Sequence, residues 1–247
     1  MSVNIPIVNA PYLSVQGMEI VIVDDETLTI ADGQARNSTN ENDIALSASV
    51  TVSNLVNGIN GLDTGTVAAA TLYAVYVVGD STLNNDAGGL LSLASNASPT
   101  LPSGYDMYRL VGYVRTDATS DNLLGYFSGS ANERMFMYDA PISAGTTNAS
   151  ATYADIDLTD KVPLVDNLPV IMAYAFAPNA DNDSFEMHGA NSTGDAVTVF
   201  GSVAAKKVGA NAIVMAQTKA AKPQISYKTA AAISSLVLSV VGYHYTI

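Results

Sequence analysis

The chain has no cysteine and no tryptophan, and only two of its 247 residues are histidines. Without cysteine there are no disulfides, no thiolate metal ligands and no cysteine nucleophile. Two histidines, His188 and His244, are too few for a histidine-rich metal site. These absences leave oxygen ligands as the metal chemistry to consider, and we expect the protein to need no cofactor.

Charge is also scarce, because Asp, Glu, Lys and Arg together make up only 13% of the residues, about half the usual share. A polar but weakly charged surface suits a protein that packs against copies of itself or against neighbours. The formal net charge of −13 argues against nucleic-acid binding through phosphates. Four arginines and no lysine precede residue 136, whereas all six lysines follow it, which indicates a domain boundary near that residue.

Long apolar runs are missing as well. The N-terminal residues MSVNIPIVNAPYL lack the basic start and apolar core of a signal peptide. No apolar run approaches the ~18–20 residues that a membrane span needs. We therefore expect a soluble protein that has no membrane partner and is made in the cytoplasm without classical export.

Residues 1–16 are interpreted as an extended N-terminal arm. Pro6 and Pro11 oppose a helix, and apolar residues such as Tyr12 and Leu13 need an apolar surface to lie on. Two interpretations stay open: the first strand of the domain that follows, or an arm that reaches a neighbouring subunit. The second makes Tyr12 and Leu13 interface residues.

Residues 17–134 predict an N-terminal β domain. Seven or eight short segments follow one another between Gly, Asn, Asp and Pro turns, as in a β-sandwich or barrel. The apolar stretch LYAVYVV at 72–78 predicts a central strand. The other predicted strands are 16–23, 27–31, 44–55, 90–95, 105–115 and 122–130, with a polar loop at 33–44 and a turn at 84–89.

Residues 135–247 predict a second β domain. About eight strand-like segments follow one another, the number that a jelly-roll-like sandwich uses. Residues 160–165 do not alternate, which allows a helical turn, and 204–212 predict a loop. The expected fold class is therefore all-β, with two antiparallel β domains, the C-terminal one a jelly-roll-like sandwich.

Two groups of acids are candidate cation ligands, and each has a plainer explanation. The adjacent acids DDE at 24–26 could bind Ca²⁺ or act as an acid–base pair, but neighbouring strand residues point to opposite faces. This favours a solvated turn. Asp181, Asp183 and Glu186 offer oxygen ligands but lack the spacing of an EF-hand loop. An exposed hairpin tip is the favoured interpretation there, and Ca²⁺ binding stays open.

The histidines and the paired glycines form no catalytic pattern. His188 and His244 each lie beside aromatic residues or Met, and no GxSxG turn supplies a nucleophile. The glycines at 88–89 do not belong to a phosphate-binding loop. We therefore expect structural or interface histidines, turn glycines and a protein without enzymatic activity.

Tyrosine is abundant, with 13 residues. Its large apolar ring and polar tip suit the rim of a core, a subunit interface or stacking on sugars. Strand positions in the core and at its rim are the plainer explanation. The residues that we select for an interface are Tyr12, Leu13, Tyr105, Tyr108, Tyr243 and Tyr245.

The stretch 57–116 carries the most specific pattern. GINGLDTGTVAAATLYAVYVVGD is followed by SPTLPSGYDMYRLVGYVRTD, and IADGQARNSTNENDIAL lies upstream. In this order the segments resemble a module of tailed-bacteriophage structural proteins, notably fibre and virion-surface proteins, over residues 17–130. The C-terminal part, with DIDLT, VIMAYAF and GYHY, is similar to β-sandwich domains at the ends of phage surface proteins, which usually trimerise. The resemblance carries over no catalytic residues.

The same stretch has a physical interpretation of its own. Asp63 and Thr64 are expected to cap a tight turn in which Gly65 adopts positive φ. Arg109 and Arg115 are six residues apart on one predicted strand, which places both on one face. There we expect surface pairs with acids such as Asp63 or Asp117, each worth ~0–1 kcal/mol.

The resemblance implies a non-enzymatic structural protein located in a bacteriophage virion. Such a chain would decorate the capsid or form a short fibre as a homotrimer, with capsid or tail proteins as further partners. One alternative is a receptor-binding fibre protein whose tyrosine-bearing loops recognise a glycan of the bacterial surface. A polysaccharide-degrading enzyme is a third hypothesis, which the lack of tryptophan and of a convincing carboxylate pair disfavours.

Overall fold

A computed structural model describes residues 14–129, 133–147, 149–180, 183–192, 197–200, 208–229 and 233–246. These residues lie in strands, turns and loops, and none of them lies in a helix. The chain divides into two compact units: residues 1–136 with 246–247, and residues 137–245. The protein is therefore all-β, in more than one β domain, as the sequence predicts. The boundary predicted from the sequence lies between 134 and 135.

No part of the described chain forms a helix of the length and apolarity that crossing a membrane requires.

The first unit is built from short strands. In chain order they are β1 (Val15–Gly17), β2 (Ile20–Ile22), β3 (Thr27–Ile30), β4 (Gly33–Arg36), β5 (Asp43–Leu46), β6 (Val50–Ser53), β7 (Gly61–Leu62), β8 (Leu72–Gly79), β9 (Gly88–Leu93), β10 (Met107–Thr116), β11 (Leu123–Leu124) and β12 (Tyr126–Gly129). A further strand, β13 (Glu133–Thr147), begins in this unit and continues into the second.

Strands β1 to β6 form one meander that bends across two small sheets, β1-β4-β5 and β2-β3-β6. The first bend lies at Gly17 and Met18, where φ is +68° and +60°. A Cβ on Gly17 would lie 2.5 Å from the Asp32 carbonyl oxygen, so no larger residue fits there. The single strands predicted at 16–23 and 44–55 are therefore wrong, since the first is divided at this bend and the second is divided at residues 47–49.

Two further predictions at the start of the chain need correction. The polar loop predicted at 33–44 is in part β4, which is hydrogen-bonded to β1 on one side and to β5 on the other. Its pairing and the buried Ala35 outweigh the polar composition of the segment. The predicted arm at 1–16 overlaps β1 at residues 15–16, and residues 1–13, with Tyr12 and Leu13, lie outside the described part.

A five-stranded sheet, in the order β11-β10-β8-β9-β7, lies at the centre of the first unit. Its pairs are antiparallel apart from β7 with β9. All eight residues of β8 are buried, which confirms the predicted central strand. One face of β8 packs into the main core with the meander, through Tyr73, Val75 and Val77. The other face joins a second cluster, through Ala74, Tyr76 and Val78.

Gly88 and Gly89 begin strand β9, although the sequence predicts a turn over them. A Cβ on Gly88 would lie 2.5 Å from Ile59 Cδ1, and one on Gly89 would lie 2.3 Å from Val52 Cγ2. The two glycines thus let the sheet approach its neighbours on both faces. The strand predicted at 122–130 is also divided, into β11 and β12.

The second unit is built from longer strands. After β13 they are β14 (Ala154–Asp157), β15 (Leu168–Pro178), β16 (Ser184–Gly189), β17 (Val197–Phe200), β18 (Val208–Lys219), β19 (Lys222–Thr229) and β20 (Ile233–Thr246). They follow the order β13-β20-β15-β18-β19-β16-β17, with β14 on β19.

Strand β18 connects two groups of strands in this order. Its first nine described positions pair with β15, and its last three pair with β19. Residues with less than 2% exposure on the inner side of these strands form the core, among them Phe176, Phe185, Leu168 and Tyr243. The unit is β-sandwich-like, and the specific jelly-roll strand order stays a prediction.

Two local predictions in this unit have mixed outcomes. The helical turn considered at 160–165 is a hydrogen-bonded turn, in which the amides of Lys161 and Val162 donate to the Leu158 carbonyl oxygen at 2.9 and 3.2 Å. The loop predicted at 204–212 is wrong from Val208 onward, because those residues pair with β15. Residues 201–207 lie outside the described part.

Candidate interaction site

Asp63, in the LDTG turn, ties the proline-bearing loop after β9 to the sheet. Its Oδ2 accepts hydrogen bonds from Ser92 Oγ at 2.7 Å and from the Thr100 amide at 3.0 Å. The Asp63 amide donates to the Leu91 carbonyl oxygen at 2.7 Å. Gly65 has φ +78°, so the turn has the predicted positive φ. This carboxylate therefore holds together two separate segments of the motif.

The two arginines of β10 lie on opposite faces, so the prediction that they share one face is wrong. A β-bulge between Leu110 and Gly112 adds a residue to the strand and changes the phase of side-chain alternation. Arg109 consequently lies on the side of the main core, and Arg115 on the side of the second cluster. Residues of β10 that mark these sides are Met107, Val111 and Val114 for the main core and Tyr108, Leu110 and Tyr113 for the second cluster.

Both arginines are withdrawn from solvent to different degrees. Arg115 is only 6% exposed, and its Nη1 donates to the Thr116 carbonyl oxygen at 3.0 Å. Partial burial lowers the pKa of Arg109. The expected pairing with Asp63 or Asp117 stays a prediction.

Asp80 closes the loop that follows β8. Its carboxylate accepts hydrogen bonds from the hydroxyl and amide of Thr82, the amide of Asn84, and the amide and side chain of Asn85. These donors, first the Thr82 hydroxyl, hold the pKa of Asp80 down at about 2. The loop carries Leu83 at φ +59° with 64% of its surface exposed. A firmly held loop thus presents an apolar side chain to solvent.

A cleft of about 280 Å³ lies beside this loop, and a second of about 250 Å³ shares part of its lining. Asp43, Leu83 and Met107 border both clefts. Arg36 Nη1 lies 3.1 Å from Asp43 Oδ1 at the edge of the second. Apolar side chains with a few polar groups are the usual lining of a small-ligand site.

The predicted interface residues Tyr105 and Tyr108 belong to an aromatic cluster on the second face of the five-stranded sheet. Tyr108 lies edge-on to Tyr76, with ring centroids 5.8 Å apart. Burial raises the pKa of Tyr76 to about 12. Tyr105 Oη donates to the Asp86 carbonyl oxygen at 3.0 Å. Because Tyr105 and Tyr108 are partly exposed, their interface role stays a prediction.

The predicted interface residues Tyr243 and Tyr245 lie inside the second unit. They are 0% and 5% exposed, and the Tyr243 ring packs against the rings of Tyr138 and Tyr245. In the single chain their rings therefore fill the core, which is the plainer of the two explanations that the sequence offers. Their interface role stays a prediction.

A polar network covers the outer side of β19 and its neighbours. Tyr153 Oη donates to Glu186 Oε2 at 2.6 Å, and Lys228 Nζ lies 3.1 Å from the same oxygen. The hydrogen bond to Glu186 and burial raise the pKa of Tyr153 to about 12. The His188 ring packs on Tyr153 with centroids 4.1 Å apart.

Asp155, His188 and Ser226 come together in this network, but their hydrogen bonds do not form a catalytic relay. Ser226 Oγ donates to Asp155 Oδ1 at 2.6 Å, and His188 Nδ1 lies beside the Gly189 carbonyl oxygen. A serine nucleophile would instead need the imidazole as its base. The arrangement supports a structural role for His188.

The acid groups considered as cation ligands are used in local turns. Asp24 Oδ1 accepts hydrogen bonds from the amides of Glu26 and Thr27, and these bonds, first that of Glu26, lower the pKa of Asp24. Asp183 Oδ2 accepts hydrogen bonds from the amides of Asn179 and Ala180. Among the described residues, no group of three or more His, Asp or Glu side chains is placed to hold a metal ion. Asp181 lies outside the described part.

Sequence reasoning missed Arg134, which is 4% exposed. Its guanidinium donates to the carbonyl oxygens of Val111 at 2.6 Å, Met18 at 2.8 Å and Gly17 at 3.3 Å. These carbonyls lie at the β10 bulge and at the bend of the meander. An isolated arginine beside a glutamate carries no sequence pattern that would have revealed this role.

Comparison with known proteins adds little. No protein-family model matches the chain, and no curated protein matches it. A crystal structure of a Bacillus thuringiensis Cry1Da tryptic core variant aligns with 97% of this chain and 52% of its own, at 9% identity and a TM-score of 0.17. The chain thus spans about half the length of that structure. A TM-score this low carries no argument about fold or function.

Proposed function

We propose that the chain is a non-enzymatic structural protein of a bacteriophage virion, assembled as a homotrimer that decorates the capsid or forms a short fibre. The observation that carries the proposal is the ordered motif at 57–116, whose parts form one structural module around β8. Asp63 joins the LDTG turn to the PTLPSGY loop, and β8 and β10 pair side by side. The separate motif segments therefore belong to a single structural module.

The use of the acidic side chains supports this role. Asp63, Asp80, Asp155 and Glu186 each accept hydrogen bonds from donors of the same chain. Carboxylates engaged in this way stabilise loops and strand pairs. Such local use of these carboxylates supports the scaffold role that we propose.

Mass spectrometry of purified phage particles tests the proposal. The expected result is that peptides of this chain copurify with the capsid or tail through a density gradient, at a stoichiometry that is a multiple of three. Absence of the chain from infectious particles would overturn it. Density for the chain in images of the intact particle would distinguish a capsid location from a tail location.

A second candidate function is recognition of a bacterial surface glycan. The cleft bordered by Leu83 favours it, because apolar and carboxylate groups lie together beside a firmly held loop. A glycan array with the full-length protein tests this function. Leu83→Asp should abolish a genuine signal, whereas Val21→Asp, at a position 56% exposed and outside the cleft lining, should leave it unchanged. Equal binding by both variants would exclude the cleft.

A further inference from the structure

The second unit has two outer surfaces of very different chemistry. Around β19 lie three exposed or partly exposed lysine–acid pairs, formed by Lys219 with Asp155, Lys222 with Asp157 and Lys228 with Glu186. By contrast, no Asp, Glu, Lys or Arg occurs in β15, in β20 or in β18 up to residue 218, that is, in the segments 168–178, 233–246 and 208–218. The contrast within one unit shows that charge is excluded from one surface specifically.

The outward residues of these three strands follow from alternation and register. Val170, Met172 and Phe176 of β15 are 0% exposed, so Ile171, Ala173 and Ala175 point to the other side. Residues paired with or adjacent to them on β18 and β20 share that side. We call this surface the uncharged face, and its residues are Pro169, Ile171, Ala173, Ala175, Gly209, Asn211, Ile213, Met215, Val237 and Ser239.

The uncharged face is apolar where an antiparallel sheet ordinarily meets water with polar side chains. Ile213 is 64% exposed, Met215 41% and Val237 38%. Ile213 pairs directly with Ile171, so the large side chains lie together. Surfaces of this kind are often interaction sites.

We propose that a second copy of this chain docks on the uncharged face. The proposal rests on the assembly into homo-oligomers proposed above, and it names the surface that mediates it. The three strands make the face ~14 Å wide, and nine residues along each strand make it ~30 Å long, so its area is roughly 430 Å². A stable pairwise interface needs about 800 Å² per partner. The face therefore fits the apolar centre of such an interface, with polar residues around it as the rim.

The distribution of charge favours another copy as the occupant. The chain carries a net charge of −13, so most contacts between two copies would bring like charges together. The uncharged face avoids that repulsion when it meets an uncharged surface of another copy. Its small residues Ala173, Ala175 and Gly209 allow another sheet to approach to the ~10 Å spacing of packed sheets. Few polar groups, chiefly Asn211 and Ser239, would need partners on burial.

The test uses the full-length protein and two single substitutions at positions of similar initial exposure. Ile213→Asp places a charge in the centre of the uncharged face. Leu55→Asp places the same charge at a position that is 61% exposed but lies in the first unit. Sedimentation velocity over a 100-fold concentration range should show the wild-type chain and Leu55→Asp as oligomers. Ile213→Asp should need at least a tenfold higher concentration to assemble, with an unchanged circular dichroism spectrum.

Three outcomes would overturn the proposal, and they differ in what else they overturn. If wild type and Ile213→Asp assemble equally, the uncharged face is excluded while homo-oligomerisation stands. If the wild type sediments as a 25.6 kDa monomer throughout, the proposed homotrimer fails together with this surface. Hydrogen exchange on the wild-type chain tests the same surface and does not depend on whether a variant folds. The backbone amides of residues 169–175 and 209–215 should become more protected as the protein concentration rises. Protection that is independent of concentration means that another part of the same chain covers the face.

Discussion

Replacing Arg134 by lysine should destabilise the first unit by about 2–4 kcal/mol, because the lost hydrogen bonds are buried. The guanidinium donates to three carbonyl oxygens at irregular points of the strands: that of Val111 at the β10 bulge, and those of Gly17 and Met18 at the bend between β1 and β2. Its fork of five N–H donors reaches all three at once, whereas the lysine ammonium is one compact group. Lysine therefore keeps one of these bonds and loses two.

The magnitude follows from those two bonds. A hydrogen bond to a charged donor contributes about 1.5–3 kcal/mol, and a buried acceptor left without a donor costs about 1–3 kcal/mol. The Gly17 contact, at 3.3 Å, is the longest and contributes least. Arg134 is only 4% exposed, so water does not readily replace the missing donors. The expected loss is thus a large part of the ~5–15 kcal/mol that stabilises a typical domain.

Guanidinium denaturation of the full-length protein, followed by tyrosine fluorescence, measures the change. Arg36→Lys is the matched control, because Arg36 forms a partly exposed pair with Asp43 at 3.1 Å, worth at most about 1 kcal/mol. Hydrogen exchange should also accelerate in β10 for Arg134→Lys and not for the control. Equal stability of the two variants to within about 0.5 kcal/mol, the range of neutral surface changes, would refute the role assigned to Arg134.

Three further predictions concern the first unit. Gly89→Ala should lower the free energy of unfolding by about 1–3 kcal/mol through overpacking, since its Cβ would lie 2.3 Å from Val52 Cγ2. Calorimetry measures the change, and an unchanged melting temperature would contradict the prediction. Asp80 has a folded-state pKa of about 2, below its ordinary value of 3.8, so its stabilisation is present above about pH 4 and is lost as the pH falls towards 2. Asp80→Asn should flatten this acid dependence, and identical pH profiles would contradict the assignment. Asp63→Ala removes the acceptor for Ser92 Oγ and the Thr100 amide. If the hydrogen bond from the Thr100 amide contributes about 2 kcal/mol, that amide should exchange its hydrogen roughly 30-fold faster in the variant. An unchanged exchange rate would contradict the anchoring role.

The sequence determined the fold class and the position of the central strand. Alternation and turn residues suffice for that, because an all-apolar strand such as LYAVYVV at 72–78 can only be covered on both faces. Asp63 was also identified as a turn residue from the LDTG pattern. Its second partner, the Thr100 amide, could not be, since that contact joins residues far apart in the chain.

Tertiary structure decided the features that depend on contacts between distant segments. The β10 bulge places Arg109 and Arg115 on opposite faces, although their spacing alone predicts one face. Gly88 and Gly89 lie in a strand where the side chains of Ile59 and Val52 approach so closely that a Cβ atom would not fit. Arg134 has its role because the β10 bulge and the bend between β1 and β2 bring three carbonyl oxygens to one point. Local sequence encodes periodicity and turns, whereas bulges, close approaches and buried donors depend on partners that only the folded chain brings together.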